Sequence, residues 1–193
     1  MVQHGEIQAI HIGNIAKLTA SCVSNAGTLS SAGAISCGDF SSTGTFTNAA
    51  VNTIDASGDV AISGTFSATV TDNTLTMSGA AATVNAAVAI GNLTVPAAAG
   101  VSVVTSSLDL QGNLDVDGGL TVSGALNLNV AGATVDFTGG TYTKSTGTFV
   151  FDGAGAQAFT ANAQDYGNVQ TSVAGTAVTQ SGAATTDNLT VDL

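Results

Sequence analysis

The sequence has no tryptophan and no arginine, and Lys17 and Lys144 are its only basic residues. Thirteen acidic residues give it a formal net charge of −11 at pH 7. Proteins bind the phosphates of nucleic acids, and anionic membrane surfaces, mainly through Lys and Arg side chains. We therefore expect no nucleic-acid partner and no binding to anionic membranes.

Long apolar runs are also absent, since no stretch approaches the ~18 residues that a membrane-spanning helix needs. The chain is therefore expected not to insert into a membrane. Its start, MVQHGEIQAIHIGNIAKLTA, lacks a basic segment, and His4, Glu6 and His11 interrupt any apolar core of a signal peptide. This predicts synthesis and folding in the cytoplasm without export through the general secretory pathway.

Cysteine is scarce, because Cys22 and Cys37 are the only two. Two cysteines are too few for a disulfide framework. One interpretation is that both are small buried apolar residues. The other is that they pair with each other after release into an oxidising medium.

Charged residues make up only 8% of the chain, against about a quarter in typical globular domains. Hydrophobic residues still amount to 44%, which is unlike the low-hydrophobicity, high-charge composition of disordered chains. Ala, Gly, Ser, Thr and Val dominate instead, and these small residues suit short strands joined by tight bends. The composition therefore predicts a folded chain.

A repeat organises the chain. The stretch Gly118–Gly139, GGLTVSGALNLNVAGATVDFTG, has a near-copy at Gly58–Gly79, GDVAISGTFSATVTDNTLTMSG, and a shorter one at Gly38–Phe46, GDFSSTGTF. The aligned pairs are Val60 with Leu120, Ile62 with Val122, Phe66 with Leu126, Val70 with Val130, Leu75 with Val135, and Met77 with Phe137. The offsets are multiples of about 20 residues, which indicates a repeat of that length.

Apolar residues within each copy alternate with small polar ones, as expected for strands that bury one face. The alternation is interrupted at two places, one of them Ser63-Gly64 and its equivalent Ser123-Gly124, where glycine would fit a tight inward corner. Three short strands and three bends in each repeat predict one coil of a three-sided β-solenoid, either a single-chain coil or an intertwined trimer. An antiparallel β-sandwich, with a hairpin closed by Asp72-Asn73, is the alternative.

A second periodic signal supports the solenoid. Five apolar residues recur once per repeat and are predicted to form one interior ladder: Ile35, Ile54, Leu75, Leu93 and Leu114. Composition and rhythm divide the chain into three parts. We predict an attachment or capping segment at 1–20, a Gly-punctuated β-repeat region at 21–146, and a C-terminal β unit at 147–193.

Few residues in this sequence suggest chemistry. His4 and His11 have no Cys or carboxylate at a spacing suited to zinc. Asp109, Asp115 and Asp117 could supply the carboxylate pair of a glycoside hydrolase, or they could belong to a solvated outer face with Leu114 and Val116 pointing inward. We expect no catalytic, cofactor-binding or metal-binding residues and therefore no enzyme.

The Gly-punctuated string GNLDVDGGLTVSGALNLNV resembles the shafts of bacteriophage tail-fibre and head-decoration proteins. The later strings FDGAGAQ, YGNVQTS and DNLTVDL are similar to repeats of large bacterial surface β-solenoid proteins. The resemblance implies an extracellular or virion structural part, as a homotrimer.

Together with the expected lack of export, it favours a capsid decoration or fibre protein, made in the host cytoplasm and attached to a capsid or tail protein through residues 1–20. The alternatives are a secreted bacterial surface adhesin or filament subunit, and a polysaccharide-degrading tail spike.

Overall fold

The structure, a computed structural model, describes residues 6–8, 17–31, 33–48, 53–67, 73–173 and 176–192. All regular structure in these ranges is β-strand. In chain order the strands are β1 (Glu6–Gln8), β2 (Lys17–Asn25), β3 (Thr28–Ser31), β4 (Ala34–Ser42), β5 (Thr45–Asn48), β6 (Thr53–Ala56), β7 (Val60–Ile62), β8 (Phe66–Ser67), β9 (Thr74–Met77), β10 (Ala82–Ala86), β11 (Asn92–Val95), β12 (Gly100–Val103), β13 (Leu108–Leu110), β14 (Leu114–Val116), β15 (Gly119–Val122), β16 (Leu128–Val130), β17 (Thr134–Asp136), β18 (Thr141–Thr143), β19 (Thr148–Phe151), β20 (Ala156–Thr160), β21 (Gln164–Asp165), β22 (Asn168–Thr171), β23 (Ala177–Ser181), β24 (Ala184–Thr185) and β25 (Asn188–Val191).

These strands form the three faces of a solenoid. Face one contains the first halves of β2 and β4 and then β6, β9, β11, β14, β17, β20 and β23. Face two contains the second halves of β2 and β4 and then β7, β10, β12, β15 and β18, followed by the separate pair β21 and β24. Face three contains β3, β5 and β8, and then β13, β16, β19, β22 and β25.

Every ladder among the described strands is parallel and joins one coil to the next. The number of residues between paired positions of successive coils varies. It is smallest between Glu6 and Cys22 and among the largest between Val135 and Phe159. The predicted all-β solenoid, with three sides and coils of about 20 residues, is therefore confirmed. Parallel pairing throughout excludes the antiparallel sandwich. Eight steps at about 4.8 Å each give a rod roughly 38 Å long.

The interior ladder that the sequence predicts is also confirmed. Ile35, Ile54, Leu75, Leu93 and Leu114 are successive partners on face one, and all are buried. The ladder begins at Leu18 and continues through Val135 to Phe159. Burying one such side chain contributes about 1.5–3 kcal/mol. A single coil buries only a few of them, so the stack is the cooperative unit.

An aromatic cluster fills the interior towards the C-terminal end. The Phe137 ring is fully buried and lies 5.3 to 6.4 Å from the ring centroids of Tyr142, Phe149, Phe159 and Tyr166. Most of these contacts are edge-to-face or tilted, which are favourable geometries for aromatic pairs. The cluster joins two successive coils, because Phe159 and Tyr166 lie one coil beyond the other three rings.

The corners are held by side chains that hydrogen-bond along the rod. Asn92 Oδ1 accepts a 2.7 Å hydrogen bond from Asn113 N, and Asn113 Oδ1 accepts one of 2.9 Å from Thr134 N. The other corners repeat this arrangement: Asp39 Oδ1 with Asp59 N, Asp59 Oδ1 with Thr83 N, Ser107 Oγ with Asn127 N, and Asn127 Oδ1 with Thr148 N. Backbone groups at the bends are thereby satisfied without a regular ladder.

Gly64 and Gly124, the two glycines predicted at inward corners, differ in why the position requires glycine. A Cβ on Gly64 would overlap the carbonyl oxygens of Thr43 and Gly44, so glycine is needed there because successive coils approach closely. Gly124 is exposed, has φ +59°, and no atom lies within 4 Å of a Cβ built on it. The inward placement is therefore wrong for Gly124, where glycine instead permits a left-handed backbone.

The predicted domain boundaries stay predictions. Of the segment 1–20, residues 1–5 and 9–16 lie outside the described residues, while β1 pairs with β2. The ladders from β16 to β19 and from β17 to β20 cross the boundary at residue 147 with the same parallel pairing.

Candidate functional site

The carboxylates singled out in the sequence lie on different faces. Asp115 is on the outer side of face one, and Asp117 lies at the following corner, both exposed. Leu114 and Val116 point inward and are fully buried, as predicted for a solvated outer face. Asp109 is in β13 on face three, so the structure does not bring it together with the other two. Sequence reasoning missed Asp136, the neighbour of Asp115 on the next coil.

Asp115 and Asp136 border a shallow open depression of ≈ 450 Å³. Its lining is made of Thr, Asn, Asp and Leu, and it includes no aromatic side chain and no basic residue. Although Asp115 is exposed, partial desolvation by its neighbours, followed by the charges of Asp117 and Asp136, raises its pKa above the usual value. The arrangement shows only an acidic, solvent-exposed outer face.

The contrast between Asp115 and Asp165 gives a prediction for pH dependence. Because the pKa of Asp115 is raised on folding, its contribution to stability falls as pH rises above about 4. Asp115→Asn should therefore raise the melting temperature at pH 7, and the gain should vanish near pH 3. A hydrogen bond from Lys144 lowers the pKa of Asp165, so Asp165→Asn should lower the melting temperature at pH 7 and lose that effect in acid. Thermal melts of both variants between about pH 2 and 7 test this, and equal signs would contradict it.

Lys144 joins three successive coils. Its Nζ lies 2.5 Å from Asp165 Oδ2 and 2.6 Å from Asp187 Oδ2. Hydrogen bonds to Asp165 and then Asp187 raise the pKa of Lys144, so the cation is retained at any physiological pH. The partners are 21 and 43 residues away in sequence, which is one and two coils further along the rod. The arrangement is structural, and nothing in the spacing of these residues reveals it in the sequence.

The cysteines form no disulfide in the structure. Cys37 is buried, and this burial, with the nearby charges of Asp55 and Asp39, raises the pKa of its thiol to about 12. A thiol with so high a pKa is a poor nucleophile at neutral pH. Cys37 therefore fits the interpretation as a small buried apolar residue, whereas Cys22 is half-buried.

The C-terminal end of the rod differs from its sides. The last coil, formed by β23, β24 and β25, borders a depression of ≈ 370 Å³ with a largely apolar lining. Phe151, Phe159 and Val169 form its floor, and Leu189 and Val191 form part of its rim.

Within the described ranges, no group of three or more His, Cys, Asp or Glu residues is placed to hold a metal ion. His4 and His11 lie outside those ranges. No helix long and apolar enough to cross a membrane occurs in the described part of the chain. No protein-family model, curated protein or solved structure matches this sequence.

Proposed function

We propose that this chain is a non-enzymatic structural protein of a virion, a capsid decoration or fibre protein of a bacteriophage. In this proposal it is made in the host cytoplasm, forms a homotrimer, and is anchored on a capsid or tail protein by residues 1–20. It needs no cofactor.

The observation that supports this proposal is that polar side chains link one coil to the next. At the corners, Asn92, Asn113 and Asp59 accept hydrogen bonds from the next coil, and Lys144 joins three coils. The interior is mainly apolar along the described length, with a few buried polar residues such as Asn25 and Gln157. Groups that would serve catalysis in an enzyme serve here to hold a rod together, as expected of a part whose task is mechanical.

A secreted bacterial surface adhesin or filament subunit is the second candidate. It rests on the same β-solenoid fold, because stacked coils suit an elongated surface part as well as a virion part. A polysaccharide-degrading spike is the weakest candidate. If purified protein cleaves a capsular glycan, and Asp115→Asn with Asp117→Asn abolishes that cleavage, the spike replaces the structural proposal.

Light scattering on the purified, untagged 18.6 kDa chain tests the trimer, together with negative-stain images of the same fraction. We expect a discrete trimer, seen as short rods. A monomer would contradict the trimer, and open-ended filaments would favour the surface-filament candidate. Finding a cleaved signal peptide upstream of the native protein would contradict the virion proposal.

A further inference from the structure

The ladder of face three is interrupted after β8. Four residue pairs join β3 to β5, and two pairs join β5 to β8. On the next coil, residues 87–89 form no strand, and among the described residues no ladder joins them to β8. That coil is paired with the following one by a single bridge between Ile90 and Leu110. Faces one and two stay paired across the interruption, which is called the gap below, through β6 with β9 and β7 with β10.

The packing around the gap is also incomplete. Phe66 in β8 stacks on Phe46 with a distance of 4.9 Å between ring centroids, but it is only half-buried. Val88, on the other side of the gap, is half-buried as well, and both residues border an open depression of ≈ 550 Å³. Further along face three, the inward residues Leu108 and Leu128 are fully buried. Apolar contact across the gap is therefore weaker than between β13 and β16.

A second interruption, on face two, shows how such a break can be closed. Of the described strands, β18 and β21 are neighbours that form no ladder with each other. Side chains take its place, since Gln164 Oε1 accepts a hydrogen bond from Tyr142 N. Gln164 Nε2 also donates a 2.8 Å hydrogen bond to Gly140 O, and Asn162 Nδ2 donates one of 2.9 Å to the same oxygen. Polar side chains thus couple the two coils where the backbone does not.

The side chains of Phe66, Val88 and Ala89 at the gap are apolar and offer no groups for such a closure. Coils of a solenoid contact only their neighbours, so the coupling of two adjacent coils depends on the ladders and side chains between them. Ladders on two faces couple coils less strongly than ladders on three. We propose that the gap divides the rod into two cooperative blocks. The N-terminal block, formed by β2 to β8, unfolds while the C-terminal block, formed by β9 to β25, stays folded.

The two blocks also differ in what holds them together. The C-terminal block has six coils and contains the aromatic cluster around Phe137 and the ion pairs of Lys144. The N-terminal block has three coils, and its aromatic contacts in the described ranges are Phe40 with Phe46 and Phe46 with Phe66. Native proteins open locally in contiguous units, and the opening free energy differs from unit to unit. The smaller N-terminal block opens at the lower cost.

Hydrogen exchange of the native protein in low concentrations of urea tests this proposal. We expect the amides of β2, β4 and β5 to share one opening reaction, and those of β14, β16 and β19 to need a rarer one. Phe46→Ala and Phe149→Ala are matched variants, because both rings are 1% exposed and lie on face three. Phe46→Ala should lower the protection of β2, β4 and β5 by roughly a hundredfold or more and leave β16 and β19 unchanged. Phe149→Ala should lower that of β16 and β19 and leave the N-terminal block unchanged.

Phe46→Leu serves the same test if Phe46→Ala does not fold, since leucine keeps more of the buried volume. It should lower the protection of the same strands by a smaller factor. A single opening free energy shared by β4 and β19 in the wild type would overturn the proposal. So would a Phe46→Leu protein that loses protection equally in both blocks. The test is independent of the proposed trimer, because it measures how the chain opens and not how many chains assemble.

Discussion

Replacing Phe137 with alanine is expected to lower the free energy of unfolding by about 3–5 kcal/mol, as for other fully buried aromatic residues. The Phe137 ring is 0% exposed and contacts four aromatic rings that belong to two successive coils. Its removal leaves a cavity that backbone ladders on all three faces prevent from closing. The loss should appear as a lower midpoint of urea denaturation followed by circular dichroism.

Phe137→Leu provides the control for this prediction. Leucine keeps much of the buried apolar volume but loses the edge-to-face contacts, so we expect a clearly smaller loss than for alanine. If Phe137→Ala and Phe137→Leu lowered the midpoint equally, cavity formation would not be the cause. A midpoint unchanged in Phe137→Ala would contradict the placement of this ring at the centre of the cluster.

Replacing Gly132 with valine is expected to destabilise the rod by about 3 kcal/mol or more, since overpacking at this position meets backbone rather than flexible side chains. A Cβ on Gly132 would overlap the carbonyl group of Gly112 and the amide nitrogen of Asn113 in the preceding coil. The same glycine donates a 3.0 Å hydrogen bond from its nitrogen to Gly112 O. The two coils would have to separate at this corner.

Hydrogen exchange offers a local measurement of this effect. In Gly132→Val, the amides of β14 and β17 should lose protection first, because the corner between these coils opens. Gly155→Ala is the matched control, since Gly155 is exposed and no atom lies within 4 Å of a Cβ built there. Its stability should stay within about 0.5 kcal/mol of the wild type. Equal loss of stability in the two variants would argue against a specific close approach at Gly132.

The architecture could be predicted from the sequence because each coil repeats one pattern. The ladder through Ile54, Leu75 and Leu93 follows from spacing alone, since an inward position recurs once per coil. The register of face two did not follow so simply. The aligned repeats set Val60 opposite Leu120, whereas the ladder places it in line with Val122. The cause is β10, which uses different residues for its two neighbours. Its last three residues pair with β7 and its first three with β12, so the register shifts by two residues.

The remaining features depend on contacts between coils, which the order of residues does not display. The sequence shows that Lys144 is basic but does not predict its ion pairs. Its partners Asp165 and Asp187 come close only when three coils are stacked. The carboxylate neighbour of Asp115 is likewise on another coil. Leu189 is exposed because, among the described strands, β25 pairs only with β22, and the residue type carries no sign of that.

The similar length of the coils also bears on how the chain folds. Each new coil that pairs with the preceding one closes a chain loop of comparable length. This holds for the pair Leu18 and Ile35 near one end and for Val135 and Phe159 near the other. The entropy lost in closing a loop depends only on the logarithm of its length. A rod of twice the length would therefore face the same closure step at every coil. Folding can start at whichever coil forms first, such as one in the aromatic cluster, and then extend in both directions one coil at a time.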